Sequence, residues 1–372
     1  MFSINLNDYK KTKIYLQLFD VILKDLPINK EEFLLEHDIT PSSYRLARKV
    51  EQNVGKSIII KLSEVFKFVT LADEELEDVE EQLNKIYFDI YYKNYDNYDN
   101  HLEYINEMIN KNFLIHPLFK LFKLFLLCNS NKSVKNVYSD NNGLFNEIVK
   151  YKNFYNKELV EIYNILNLFF NDSIKESEKH QDYKNPMSYQ ILASRCYMKE
   201  KYIEAIYYST KACNILLDEM NFKRYVSVNR TLMACQLCIG DYETCNMNSV
   251  KVLRSVKSLN LEQFEIDAAE DYYYASLLGL ERFDIIYKKL KDNNNFNKNK
   301  FTCFLVSMFK IDQTLFSNYL KENINFKELS NEYCEYIKSI CLFLGKKDKK
   351  QLDRLKDYSI MKGLIRILKN YR

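Results

Sequence analysis

Apolar positions along the chain fall mostly three and four residues apart, the spacing that puts them on one face of an α-helix. Ile14, Leu18, Val21 and Ile22 predict a first helix ending at Pro27. Asn29 can cap a short second helix through Phe33, Leu34 and Leu35, with Glu32 completing a capping-box-like pattern. Asp38-Ile39-Thr40-Pro41 then breaks and restarts the helix, with Thr40 as N-cap and Pro41 in the first helical position. The restarted helix runs through Ser42, Ser43, Tyr44, Arg45, Leu46, Ala47, Arg48, Lys49 and Val50. Gly55 closes the region, and Ser57–Phe68 predicts one more apolar helix.

An acidic run at residues 73–81 suits the positive end of a long helix. Within that helix Leu76, Val79, Leu83, Ile86 and Ile90 form a heptad-like stripe, which fits either an amphipathic connector or a dimer-forming helix. Helices then follow one another, separated by Asn-rich breaks expected at Asn94–Asn100, Asn129–Asn142 and Asp292–Asn299.

Three segments align. They are Tyr197-Met198-Lys199-Glu200-Lys201-Tyr202, Leu237-Cys238-Ile239-Gly240-Asp241-Tyr242 and Leu278-Gly279-Leu280-Glu281-Arg282-Phe283. Their aromatic anchors, Tyr202, Tyr242 and Phe283, recur at 40 and 41 residues, and each opens a helix after a short polar turn. Repetition at this period is the signature of a helical solenoid. Around the first anchor, Tyr189, Leu192, Ala193, Tyr202, Ala205 and Ala212 fit the tetratricopeptide (TPR) pattern of a helix A followed by a helix B. The second unit carries Asn229, Leu232, Met233, Tyr242, Cys245 and Val252 at the matching places. Mapping that pattern onto the chain puts Gln190, Ser194 and Tyr197, then Arg230, then Asp271 on the concave face, where they could hydrogen-bond an extended peptide.

Composition narrows the classes. Only 6 Gly and 4 Pro in 372 residues exclude an all-β sandwich or barrel, which needs a turn every ~8–12 residues. No GxGxxG or GxxxxGK[ST] phosphate cradle occurs. A net charge of +3 means that any nucleic-acid patch must be local. Met1–Asp8 offers no basic stretch before an apolar run, and apolar stretches such as Leu124–Cys128 fall far short of the ~20 residues of a bilayer span. A cytoplasmic protein without membrane contact is expected.

No catalytic signature is present, and the histidines (His37, His101, His116 and His180) are scattered, so neither an enzyme nor a cofactor is expected. Cys235-Gln-Leu-Cys238 lacks a second pair and reads as two helix positions one turn apart rather than a zinc or redox site. Residues Lys346–Arg372 carry ten basic side chains against three aspartates, with Leu352, Leu355, Ile360, Leu364, Ile365 and Leu368 as an apolar face. They fit a capping helix with a solvated basic side, or an auxiliary contact with nucleic acid or an acidic partner.

The chemistry-bearing stretch is Phe33–Val50, two short helices joined by a tight turn, which resembles a DNA-binding helix-turn-helix. Ser42 and Ser43 at a helix N-terminus can hold phosphate, and Arg45, Arg48 and Lys49 lie near one face of the same helix. Tyr44 completes the candidate DNA-binding set. Asp38 stands in the turn where Gly is usual. The fold expected is all-α: a helix-turn-helix domain over 1–70, then a TPR-like right-handed helical solenoid with C-terminal capping helices over 71–372.

That architecture resembles the peptide-pheromone-sensing transcription factors of Gram-positive bacteria and their phages, the RRNPP class, which includes the arbitrium receptors. The residues that carry the resemblance are Ile39-Thr40-Pro41-Ser42-Ser43-Tyr44-Arg45 and the repeats around Tyr202 and Tyr242. The class implies a homodimer that binds double-stranded DNA through its first domain and is controlled by a short signalling peptide in the solenoid groove. The alternative is a TPR protein that acts on proteins alone, similar to the peptide-regulated antagonists of response regulators, or a scaffold.

Overall fold

A computed structural model describes residues 3–49, 55–129, 134–171, 183–292, 296–323, 330–346, 348, 350–357 and 360–370. Val50, Lys347, Lys349 and Arg372 lie outside the described residues. Among the described residues the protein is all-helical, with twenty α-helices and no strand. It divides into two compact units, Met1–Ser188 and Tyr189–Arg372. The position near residue 70 falls within the first of these units, where polar contacts link the N-terminal segment to Asn84 and Phe154.

The first unit contains α1 (Thr12–Asp25), α2 (Lys30–Glu36), α3 (Pro41–Lys49), α4 (Lys56–Phe66), α5 (Asp73–Tyr92), α6 (Tyr98–Asn110), α7 (His116–Asn129), α8 (Val134–Lys150) and α9 (Lys157–Phe170). Asn29 caps α2 by accepting the Glu31 N–H at 2.9 Å, which satisfies one donor that the first turn leaves open. Glu75 accepts the Ala72 N–H at the start of α5. Every member of the α5 stripe is at most 3 % exposed, so this stripe is buried inside its own unit and offers no free seam for a dimer.

Long-range polar contacts tie the N-terminus down. Asn84 bonds both the N–H and the carbonyl of Ile4, and Tyr9 Oη donates to the Phe154 carbonyl at 2.8 Å. An isolated parallel bridge joins Val69 to Phe113, and Phe68 stacks on His116. Burial pushes the His116 imidazole down to about 4, with Lys120 adding to the shift. The Asn-rich break expected over Asn129–Asn142 is mostly helix, since α8 begins at Val134. Asn lowers helix propensity by only a few tenths of a kcal/mol and does not by itself end a helix.

The second unit opens within α10 (Pro186–Met198) and continues with α11 (Tyr202–Asp218), α12 (Phe222–Ile239), α13 (Tyr242–Ser258), α14 (Gln263–Gly279), α15 (Phe283–Leu290), α16 (Lys298–Ile311), α17 (Gln313–Asn323), α18 (Asn331–Lys346), α19 (Lys350–Asp357) and α20 (Lys362–Asn370). The aligned segments share one turn geometry. Glu200, Gly240 and Glu281, each two residues before its aromatic anchor, are left-handed with φ of 60°, 85° and 57°. The next N–H closes a wide turn each time: Lys201 to Cys196, Asp241 to Gln236 and Arg282 to Leu277. The turns between pairs repeat as well, with Met220 and Asn260 left-handed at φ 56° and 47°.

Packing repeats with the turns. Cys238 lies in one cluster with Tyr202. Its counterpart one period later is Gly279, where a Cβ would stand 2.5 Å from the Tyr242 ring. Only glycine lets that ring lie flush on the helix. Cys235 and Cys238 are buried on α12, and burial pushes the Cys235 thiol up to about 12, far from a reactive thiolate.

The C-terminal helix α20 packs on α12 and α14, the first helices of two successive pairs, and buries Leu364, Ile365, Ile367 and Leu368. Its basic side stays partly exposed and also makes contacts within the unit. Arg366 Nη1 donates to the Cys238 carbonyl at 2.8 Å, its guanidinium sits 4.7 Å over the Tyr202 ring, and Lys362 pairs with Glu200 at 2.5 Å.

Candidate nucleic-acid interface and the paired-helix face

The turn before α3 takes the shape its sequence left open. Asp38 is left-handed, φ 55°, a conformation that Asp tolerates better than most residues. The Asp38 and Ile39 N–H groups bond the Leu35 and Leu34 carbonyls and close α2 tightly. Thr40 Oγ1 accepts the Ser43 N–H at 3.2 Å, the expected cap, and the Ser43 hydroxyl donates to the Thr40 carbonyl at 2.8 Å. Gly55 starts α4 at φ 108°, and a Cβ there would meet the Ala47 side chain at 2.7 Å.

Two residues of α3 point inward, Tyr44 and Ala47, at 2 % and 0 % exposure. Tyr44 therefore leaves the candidate DNA-contacting set. Its hydroxyl bonds Asp20 Oδ1 at 3.0 Å and the Leu16 carbonyl at 3.2 Å, which locks α3 to α1. Burial, and then the Asp20 charge, hold its phenol well above the ordinary tyrosine range. The reason is helical geometry: with Ala47 three residues on, Tyr44 completes the apolar face that α3 must bury.

Ser42, Ser43, Arg45, Leu46, Arg48 and Lys49 are all exposed. A helical wheel places Ser42, Arg45, Leu46 and Lys49 on the side opposite Tyr44 and Ala47, with Ser43 and Arg48 on the flanks. Leu46 belongs to no sequence motif, yet it is 56 % exposed in the middle of this stripe. The inward pair Tyr44 and Ala47 was the available signal for it. Leucine here could touch the methyl group of thymine.

The cations of α3 have carboxylate neighbours within the unit. Arg45 pairs with Glu31 of α2, both side chains more than half exposed, an interaction worth at most about 1 kcal/mol. Arg48 Nε lies 3.1 Å from Asp20 Oδ2. Asp20 also pairs with Lys30, whose ammonium sits 4.5 Å over the Tyr44 ring. Asp20 thus joins α1, the start of α2 and α3, a role with no local sequence signature because its partners lie 10 to 28 positions away. Lys49 has no ion-pair partner among the described residues.

The residues expected on the peptide-facing side of the repeats lie where successive first helices meet, and most are already bonded there. Gln190 on α10 accepts from Arg224 of α12 at 2.8 Å. Arg230 of α12 reaches Glu265 of α14 at 3.3 Å. Asp271 of α14 accepts from both Asn297 and Asn299 at 2.8 Å, and Asn299 in turn accepts the Met361 N–H just before α20. Tyr197 packs with Tyr202, Cys235 and Cys238, and burial pushes its phenol up to about 12. Ser194 is half-buried on the same helix.

Next to Asp271, the 4 %-exposed Lys300 is held by Asp267 and Glu270 at 2.9 and 2.8 Å. Burial raises Asp271 to about 6, against the pull of its two Asn donors and of Lys300. Among the described residues no group of three or more His, Cys, Asp or Glu side chains is placed to hold a metal ion, and no helix is long and apolar enough to cross a membrane. Comparison with protein-family models, with curated proteins and with solved structures gives no match for this chain.

Proposed function

We propose that this protein is a DNA-binding transcriptional regulator that contacts the duplex through α3 and is controlled by a short peptide held on its paired helices. The observation that carries the reading is the outward side of α3. There two serines follow a capped helix start and three cations follow them, with α3 itself fixed by buried Tyr44 and Ala47. In this reading α2, the Asp38 turn and α3 act as a helix-turn-helix. Ser42 and Ser43 take phosphate at the positive end of α3, and Arg45, Arg48 and Lys49 reach phosphates or guanine edges. Because the Arg45–Glu31 pair is weak, DNA can take Arg45 at little cost.

The repeats from α10 onward then serve as a TPR-like, right-handed solenoid. Its peptide groove would use Ser194 and Tyr197 and exchange bonds with Gln190, Arg230 and Asp271. A peptide acts as a switch only if it binds two conformations with different affinity. Homodimerisation and a cytoplasmic location complete the reading.

The test is the double variant Arg45→Ala with Arg48→Ala. It should lower affinity for DNA selected from a random pool by about 100-fold or more and leave helicity intact. Unchanged affinity would overturn the assignment. A second reading, a module that binds only proteins, is favoured by one feature: Arg45 and Arg48 both already face carboxylates of their own unit.

A further inference from the structure

The first unit holds a cleft of about 870 Å³ between α1, the end of α3 and the segment that joins α8 to α9, a size within the range of small-ligand sites. Four cations line it, Lys24, Arg48, Lys150 and Lys152, against two carboxylates, Asp20 and Asp25. Both carboxylates are engaged: Asp25 pairs with Lys150 at 2.6 Å and Asp20 with Arg48 at 3.1 Å. Lys24 and Lys152 have no carboxylate partner among the described residues. The Lys152 ammonium rests 5.4 Å over the Tyr163 ring. The cleft therefore carries two uncompensated positive charges in a concavity that concentrates their field.

A second observation points the same way. Gln17 lines this cleft, and its Oε1 is shut off from solvent with no hydrogen-bond donor among the described residues. An acceptor left in that state is unfavourable, and turning the Gln17 amide into the cleft lets a bound N–H or O–H satisfy it. Val21 and Val160 add apolar wall beside it.

From the two free cations, the orphaned acceptor and the apolar wall, we propose that this cleft binds a small phosphorylated molecule of nucleotide size. Its phosphates lie on Lys24 and Lys152, and its hydrogen-bond donors lie toward Gln17. Arg48 belongs both to this cleft and to α3, so a bound phosphate competes with Asp20 for its guanidinium and draws that side chain toward the cleft. The site itself stands independently of the DNA reading.

Titration calorimetry of the full chain with inorganic pyrophosphate and with ATP, in metal-free buffer without DNA, tests this. Saturable one-to-one binding of at least one probe is expected. The pair Lys24→Gln with Lys152→Gln should weaken it at least about tenfold, while Lys251→Gln with Lys257→Gln, two exposed lysines of the second unit, leaves it unchanged. Absence of saturable binding, or equal loss in both double variants, overturns the proposal. So does a Lys24/Lys152 variant that keeps its probe affinity and loses only the salt dependence of DNA binding, since the two lysines would then be contacts to the DNA backbone.

Discussion

Arg45 of α3 and Arg230 of α12 each face a glutamate on a neighbouring helix, Glu31 and Glu265, yet the two pairs differ in kind. Arg45 and Glu31 are 69 % and 60 % exposed, whereas Glu265 is nearly buried at 10 %. The first pair is loose, and its cation can change partner for less than about 1 kcal/mol. The second belongs to a series of polar bonds, Arg224 to Gln190, Arg230 to Glu265 and Asn297 and Asn299 to Asp271, that join one first helix to the next. Polar side chains of similar type therefore differ in setting: the α3 pair is exposed and can exchange partners, while the repeat bonds are partly buried and join successive first helices.

The largest expected effects lie on the repeat side. Lys300→Met strips the cation from the partly exposed Asp267 and Glu270 and should destabilise the protein by about 2 kcal/mol in urea unfolding. DNA affinity should be unchanged. A stability loss well under 1 kcal/mol would show that this buried network does not hold the array. Gly279→Ala should cost about 2 kcal/mol, because the new methyl group overlaps the Tyr242 ring.

Asp271 adds a pH signature. Its folded-state value, about 6, lies above the ordinary 3.8, so between those values the folded state holds a proton that the unfolded state releases. Stability should fall as pH rises from about 4 to 6 and then level off, by up to about 3 kcal/mol. Asp271→Asn should remove that slope. On the α3 side, Tyr44→Phe should cost about 1 kcal/mol of stability through the lost Asp20 and Leu16 bonds and leave DNA affinity unaltered. A fall in affinity without a fall in stability would return Tyr44 to the DNA-contacting set. The smallest effect is that of Arg45→Ala on stability, within about 0.5 kcal/mol.

Much of this organisation was legible beforehand. The forty-residue spacing of Tyr202, Tyr242 and Phe283 marks three identical turns, because each anchor sits two residues after a left-handed position. Thr40 and Pro41 marked the start of α3 through capping chemistry alone. What stayed hidden depends on distance along the chain. Asp20 meets Arg48 and Tyr44 only once α1 and α3 have packed, and Glu200 meets Lys362 and Arg366 across more than 160 residues. Glu200 and Glu281 also lack the glycine that would announce a left-handed turn, although the same local backbone bond closes each. The expected boundary near residue 70 falls inside the first unit, and the contacts that cross it, such as Ile4 with Asn84 and Tyr9 with Phe154, join residues far apart along the chain.

The central claim, that α3 is a DNA-contacting helix, is tested most directly by fluorescence anisotropy of the purified protein on DNA from around its own gene. We predict sequence-selective binding that weakens about 10-fold or more between about 50 and 200 mM salt, as phosphate contacts by Arg45, Arg48 and Lys49 require. Binding no tighter than to random DNA, or affinity indifferent to salt, would contradict it.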